Sequence, residues 1–255
     1  MSNVVMVHGA FNELWGPHEI KSRWLPALRD GLWHHGCEVD DDEVRICFYG
    51  DMFRRRPGTE EAARLEQSRA GIAEALDDLN GGGAIAALGQ AASDAAFERT
   101  VDMVTVMATE PDLRDRLRGR LEAVIDADTR VVVAHSLGSV LTYVAMCNHP
   151  DWSIDTFVTL GSPLGTDMLS GLLPAADADG HAPWPGSVRR WVNVRAVGDR
   201  AAAIPLADRF GPGVEDVLVD NGHRAHAPEP YLNADATGAA VAAALGVTGS
   251  GPTPS

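Results

Sequence analysis

A short apolar run that ends in a serine between small residues constrains this chain more than any other segment. Residues 129–134 are rich in valine and predict a buried strand, and helical spacing begins at Val140. A strand, a tight turn and a helix with Ser136 at the turn form a nucleophile elbow, which exposes the serine hydroxyl at the end of a sheet. Strand and helix nearly touch there, so the positions two before and two after the serine must be small. They are Ala134 and Gly138, with alanine where glycine is usual.

Strand-like and helix-like segments alternate along the rest of the chain. Short apolar runs predict strands, and spacing near 3.6 residues predicts helices between them. The predicted strands are residues 4–7, 44–49, 154–160, 190–197 and 214–219, and the clearest helices are residues 18–33 and 234–245. Pro26 predicts a kink in the first helix or a later start. This alternation is typical of an α/β protein with a doubly wound, mainly parallel sheet that is covered on both faces.

The stretch from residue 51 to residue 128 is longer than one crossover between parallel strands needs. Residues 60–79, 84–108 and 111–125 have helical patterns, and the glycines at 81–83 separate the first two. We predict one crossover helix plus a helical insertion. The insertion is either a lid over the functional site or extra packing on the sheet edge, and the pattern fits both.

Size, charge and cysteine content bound the class of protein. The chain has 255 residues, of which 45% are apolar, which suits one α/β domain over residues 1–246. Residues 247–255 are mostly Gly, Ser, Pro and Thr and are predicted to be disordered. The net charge of −15 disfavours nucleic acid and anionic membrane surfaces as partners. Three cysteines without a metal-type pair favour free thiols in a reducing compartment.

The sequence also predicts where the protein resides. The apolar run within residues 3–7 is too short for a signal peptide, and no later run is long enough to cross a bilayer. We therefore expect a cytoplasmic protein that does not insert stably into a membrane. The sequence carries no signal for the oligomeric state.

The order of three polar residues predicts a catalytic triad. A serine hydroxyl is a weak nucleophile at neutral pH, so it needs a histidine to take its proton and a carboxylate to orient that histidine. These groups follow successive strands in the order serine, acid, histidine, and Ser136, Asp199 and His226 have that order. His223 lies in the same loop as an alternative base or a substrate contact. The alternative acids are Asp208, Asp216 and Asp220.

The oxyanion of acyl transfer needs two backbone donors. The sequence predicts the amide of Leu137, at the start of the helix after the serine, and the amide of Ala10, in the loop after the first strand. Phe11 is the reserve donor, and its side chain is a candidate to line the substrate pocket. His8 is expected to shape this loop through hydrogen bonds, and His135 is expected to pack under the elbow.

No group of residues predicts a metal site. His34 and His35 are interpreted as solvated surface at a helix end. The His223/His226 pair lacks a nearby Cys, Asp or Glu cluster at zinc-site spacing. The acidic run at residues 40–43 lacks the alternating ligands of a calcium loop. We expect neither a metal nor another cofactor.

The chain resembles the α/β-hydrolase superfamily, in a small lipase-like or "serine peptidase" branch. The resemblance is spread over nearly the whole chain. It lies in Val7-His8-Gly9-Ala10-Phe11-Asn12-Glu13, Trp24-Leu25-Pro26-Ala27-Leu28, Tyr49-Gly50-Asp51, Ala134-His135-Ser136-Leu137-Gly138, Thr159-Leu160-Gly161-Ser162-Pro163-Leu164, Gly198-Asp199 and His226 with Tyr231-Leu232. It implies a doubly wound sheet, no cofactor and acyl transfer through a serine ester, with Ser136, Asp199 and His226 as the triad.

Three functions are open on the sequence. The first is a serine hydrolase of the esterase, lipase or thioesterase kind, which cleaves a small-molecule or lipid-like acyl substrate through an acyl-enzyme on Ser136. The second is an acyltransferase or cyclase that resolves the same acyl-enzyme with a nucleophile other than water in a biosynthetic pathway, where a covering helical layer would exclude water. The third is a catalytically silent binding protein with this fold. The presence of all three triad residue types in order argues against the third.

Overall fold

One parallel sheet organises the computed structural model, which describes residues 3–54, 110–166, 173–177 and 180–247. Its strands are β1 (Val4–Val7), β2 (Val44–Cys47), β3 (Val131–His135), β4 (Ile154–Leu160), β5 (Val188–Ala196) and β6 (Val214–Val219). The helices are α1 (Pro17–Trp33), α2 (Pro111–Glu122), α3 (Leu137–Asn148), α4 (Ala207–Phe210), α5 (Pro228–Asn233) and α6 (Asp235–Ala244). The strand order is β2-β1-β3-β4-β5-β6, and all neighbouring pairs are parallel.

The sheet is covered on both faces, because successive side chains of a strand point to opposite sides. Val4 and Met6 of β1 pack with α1 and α6 in one buried cluster, whereas Val5 and Val7 pack with α2 and α3 in another. Continuously apolar strands are typical of a parallel sheet that is buried on both sides. The predicted doubly wound sheet is confirmed, and the architecture fits an α/β-hydrolase-type fold.

Helix α1 is present as predicted, and it decides one of the two alternatives given for Pro26. The helix begins at Pro17 and continues through Pro26, so it has no later start. Pro17 suits the first position, where an amide would have no partner within the helix. Pro26 removes one helical hydrogen bond, but it lies on the exposed side while its neighbours Trp24 and Leu25 are buried. Burial of this apolar face outweighs the local penalty.

Helix α5 has no counterpart in the sequence prediction. Two of its six residues, Pro228 and Pro230, are prolines, which is a weak helical signal. Pro228 occupies the first position, and burial of Tyr231 and Leu232 stabilises the short helix against the rest of the protein. This helix turns out to contact the candidate site.

Part of the predicted insertion is described. The helices predicted within residues 60–108 lie outside the described residues, as does the predicted tail of residues 247–255 apart from residue 247. Residues 110–128 are described, and α2 confirms a helix within the predicted range 111–125. In the described ranges, no helix has the length and apolar character needed to span a bilayer.

Candidate active site

The turn between β3 and α3 holds Ser136 in a strained backbone conformation. Its φ is 51° and its ψ is −125°, although serine has a side chain that disfavours positive φ. The Ser136 amide donates to the carbonyl of Leu160 at 2.9 Å, so pairing with β4 continues up to the turn. A strained serine at the end of a central strand is the geometry of a nucleophile elbow.

Close packing explains the small residues around Ser136. A Cβ on Gly138 would lie 2.3 Å from the carbonyl oxygen of His8, and a Cβ on Gly9 would lie 2.8 Å from the Cβ of Ser136. Both glycines therefore allow the loop after β1 to approach the elbow. Ala134 is fully buried on the sheet face that packs against α3, where its methyl group is accommodated.

Three predicted residues meet at the carboxyl edge of the sheet. Nε2 of His226 lies 3.0 Å from Oγ of Ser136, and Nδ1 of His226 lies 2.9 Å from Oδ2 of Asp199. These atoms form a continuous hydrogen-bonded chain from the hydroxyl to the carboxylate. The side chain of Asp199 is 1% exposed, whereas that of His226 is 39% exposed. The acid is therefore buried behind a base that is open to solvent.

The Asp199 carboxylate receives two further donors. The hydroxyl of Tyr231 donates to Oδ2 at 2.6 Å, and the amide of Ala201 donates to Oδ1 at 3.0 Å. Burial alone would raise the pKa of Asp199, but the hydrogen bonds from His226 and Tyr231 and the nearby imidazoles outweigh it. The net pKa of Asp199 is lower than usual. Asp199 is therefore ionised at neutral pH.

Sequence reasoning assigned no role to Tyr231. The signal that points to it is a tyrosine in an apolar segment shortly after the histidine, because a buried tyrosine hydroxyl must find a polar partner. Here the residue is fully buried, and its partner is Asp199.

The alternative residues lie elsewhere. His223 is exposed in the 3-10 turn Gly222–Arg224, whereas the ring of His226 reaches Ser136. Asp216 accepts hydrogen bonds from Asn193 and from the amides of Leu206 and Ala207. Of the other candidate acids, Asp208 is exposed on α4, and Asp220 accepts from the amide of Gly222. The geometry favours Asp199 and His226 over these residues.

Hydrogen bonds give the loop after β1 its shape. The amide of Tyr49 donates to Nε2 of His8 at 3.1 Å, so Nδ1 carries the proton and donates to the Gly9 carbonyl at 2.7 Å. Asn12 donates to the carbonyls of Gly9 and Ala10. Burial lowers the pKa of His8 to about 4, and the ring is neutral at pH 7.

These contacts orient the candidate oxyanion donors. Carbonyl and amide of one trans peptide point in opposite directions, so the Ala10 amide points away from the donors on the Gly9 carbonyl. Leu137 is the first residue of α3, where an amide has no acceptor within the helix. Phe11 is partly buried in the same loop, with a φ of 66°.

His135 connects the elbow to the loop that carries His226. It is 6% exposed, and its Nε2 lies 2.9 Å from the main-chain oxygen of His226. Burial and, secondly, the nearby His226 lower the pKa of His135 to about 3. A neutral ring donates this hydrogen bond, so the residue before the nucleophile holds the backbone of the candidate base.

Among the residues that the structure describes, no group of three or more His, Cys, Asp or Glu side chains could hold a metal ion.

No protein-family model matches the chain, and a search of curated proteins finds no match. Among solved structures, the chain is similar to an arylesterase, with 12% identity, 96% of this chain and 76% of that chain covered, and a TM-score of 0.39. A likeness of that size does not bear on the chemistry.

Proposed function

We propose that this protein is a serine hydrolase that cleaves an ester or thioester through an acyl-enzyme on Ser136. One observation carries the proposal: His226 lies 3.0 Å from the Ser136 hydroxyl and 2.9 Å from the buried Asp199 carboxylate. A serine, a histidine and a carboxylate joined in this order form the arrangement that activates a hydroxyl for attack on an acyl carbon.

In the first half of the proposed reaction, Oγ of Ser136 attacks the acyl carbonyl while Nε2 of His226 takes the hydroxyl proton. The amides of Ala10 and Leu137 receive the negative charge that develops on the carbonyl oxygen. The intermediate then collapses, and His226 gives its proton to the departing alcohol or thiol. Asp199 stabilises the imidazolium that exists between these two proton transfers.

In the second half, a water molecule replaces the leaving group. His226 takes a proton from the water as its oxygen attacks the acyl carbon bound to Ser136. The second intermediate collapses, the proton returns to Oγ, and a carboxylic acid is released. The exposed side of His226 gives water access to the base.

The same site supports the two other functions less well. Transfer or cyclisation uses the same residues and differs only in the acceptor. The helical layer that would exclude water for it lies outside the described residues. A silent site is disfavoured because the elbow is strained and three polar side chains are aligned within hydrogen-bond distance.

Replacement of the nucleophile tests this proposal. We expect Ser136→Ala to lose at least about 10³-fold in the turnover of p-nitrophenyl esters or acyl thioesters of graded chain length. Ser187→Ala is the matched control, because Ser187 is also buried but lies at the opposite edge of the sheet, before β5. Both variants should retain the wild-type circular dichroism spectrum. Full activity in a folded Ser136→Ala protein would overturn the proposal.

A further inference from the structure

Tyr231 shares the Asp199 carboxylate with His226. Its hydroxyl lies 2.6 Å from Oδ2, the same oxygen that lies 2.9 Å from Nδ1 of His226. The tyrosine is fully buried, and a Cβ on Gly161 would lie 3.1 Å from its ring and 2.9 Å from Oδ2. Ring, carboxylate and imidazole are therefore packed around one glycine.

We propose that Tyr231 is a positioning residue that orients the Asp199 carboxylate and weakens its hold on the His226 proton. The proposal rests on the proposed function, since it gives Tyr231 a role in the same proton transfers. It assigns a task to a helix, α5, that supplies none of the three triad residues.

The direction of the effect follows from which group donates. Burial and the charge of Asp199 raise the pKa of Tyr231 well above its usual value, so the hydroxyl keeps its proton and donates. A donor on Oδ2 disperses part of the negative charge that acts on His226. Without the hydroxyl, the carboxylate attracts the imidazolium more strongly, and His226 keeps its proton up to a higher pH. Activity needs neutral His226, so the acid limb of the pH profile moves to higher pH.

The helix that bears Tyr231 is fixed at both ends. At the start, Glu229 pairs with Arg224 at 2.6 Å and with Arg23 of α1 at 3.3 Å. At the end, the Thr237 hydroxyl donates to the main-chain oxygen of Tyr231 at 2.6 Å. The position of the tyrosine hydroxyl is therefore set by contacts other than the one it makes to Asp199.

Three further titratable or charged groups face this cluster. His135 at the end of β3 and His8 in the loop after β1 have pKa values lowered by burial to about 3 and about 4, so both are neutral in the range where the effect is measured. Arg195 of β5, which lies 3.9 Å from Asp216, contributes a constant positive charge. A shift of the acid limb on removal of the Tyr231 hydroxyl therefore reports a change in the interaction between Asp199 and His226.

The test compares Tyr231→Phe with Tyr143→Phe. Tyr143 is the matched control because it is also fully buried, and its hydroxyl donates to the main-chain oxygen of Pro183, away from the site. For Tyr231→Phe we expect a fall in kcat of about 10-fold with KM changed by less than about twofold. The acid limb and the NMR titration midpoint of the His226 ring should both rise by about half a pH unit. Tyr143→Phe should change neither.

A second substitution reverses the sign and does not remove the hydroxyl. Site-specific 3-fluorotyrosine at position 231 is a stronger hydrogen-bond donor, so both the acid limb and the His226 midpoint should move to lower pH. Lost stability or activity with both quantities unchanged would overturn the proposal, and so would shifts of equal sign in the two variants. Failure of the proposed function appears instead as Ser136-independent turnover, whereas the His226 titration still measures the coupling to Tyr231.

Discussion

The two edges of the sheet differ in how their charged side chains are paired. At the carboxyl edge, Ser136, Asp199 and His135 are buried, and each of them is hydrogen-bonded to His226. At the amino edge, exposed ion pairs join the strand starts, with Arg45 on Asp126 and with Arg130 and Arg189 on Asp155. Water can replace an exposed ion pair at little cost in free energy. A buried polar group that loses its hydrogen-bond partner has no water to replace it.

The backbone shows the same contrast. In the described part of the chain, the two non-glycine residues at positive φ are Phe11 and Ser136, and both lie in turns at the carboxyl edge. Gly161, with a φ of 55°, follows β4 at the same edge. Backbone strain at non-glycine residues is therefore concentrated where the candidate site lies, which is where substitutions should affect chemistry and stability together.

The largest contrast is expected for one carboxyl group at each edge. Asp199→Asn should lower kcat by roughly 10³- to 10⁴-fold, because an amide facing Nδ1 favours the wrong tautomer of His226. Asp155→Asn, at the amino edge, should leave kcat unchanged. Steady-state kinetics on a p-nitrophenyl ester measures both. Equal effects in the two variants would contradict the division between the edges.

Glycine substitutions should sharpen the contrast in backbone strain. A Cβ on Gly161 would lie 2.9 Å from Oδ2 of Asp199 and 3.3 Å from Nδ1 of His226. Gly161→Ala should therefore destabilise the protein by about 2 kcal/mol and lower kcat by about 10- to 100-fold. A Cβ on Gly186, in the turn before β5, has no atom within 4 Å. Gly186→Ala should be close to neutral in urea denaturation and in kinetics, and a wild-type-like Gly161→Ala protein would refute this account of the packing.

Buried histidines should make the carboxyl edge sensitive to acid. The pKa of His135 falls from 6.5 to about 3 on folding, so below pH 6.5 the unfolded chain binds a proton that the folded protein does not. Stability should therefore decrease as the pH falls, by about 1.4 kcal/mol per pH unit for each such histidine. His135→Gln keeps a donor but cannot titrate, so its free energy of unfolding should vary less between about pH 4.5 and 6.5. Gly186→Ala should keep the wild-type slope, and an unchanged slope in His135→Gln would show that this histidine is not buried neutral.

The smallest effect is expected for an ion pair at the amino edge. The side chain of Arg130 is 52% exposed in its pair with Asp155, and Arg189 also lies 3.1 Å from that carboxylate. Arg130→Gln should cost between about 0 and 1 kcal/mol in urea denaturation, with no change in kcat. A loss of several kcal/mol would mean that this edge is as tightly coupled as the other.

The sequence predicted the architecture well because the relevant signals are local. Apolar runs and a strand, turn and helix around Ser136 fix the parallel sheet and the elbow without knowledge of distant contacts. Apolar spacing also predicted the helix over residues 18–33, but propensity at Pro26 left its start open, because the sequence does not show how strongly burial of the apolar face offsets the proline.

The details of the site depend on contacts between distant parts of the chain. The sequence left His223 and His226 as alternatives, since both lie in one loop and only the fold decides which ring reaches Ser136. Tyr231 was missed for the same reason, because its partner Asp199 lies 32 residues earlier. A short sequence motif can predict such a pairing only when the number of residues between the two partners is fixed.

Covalent labelling tests the central claim most directly. We would treat the folded wild-type chain with a fluorophosphonate, measure its intact mass and map the modified peptide. The account predicts one adduct per chain, on Ser136, that forms far more slowly in His226→Ala. A folded protein without an adduct, or with the adduct on another serine such as Ser139, would contradict it.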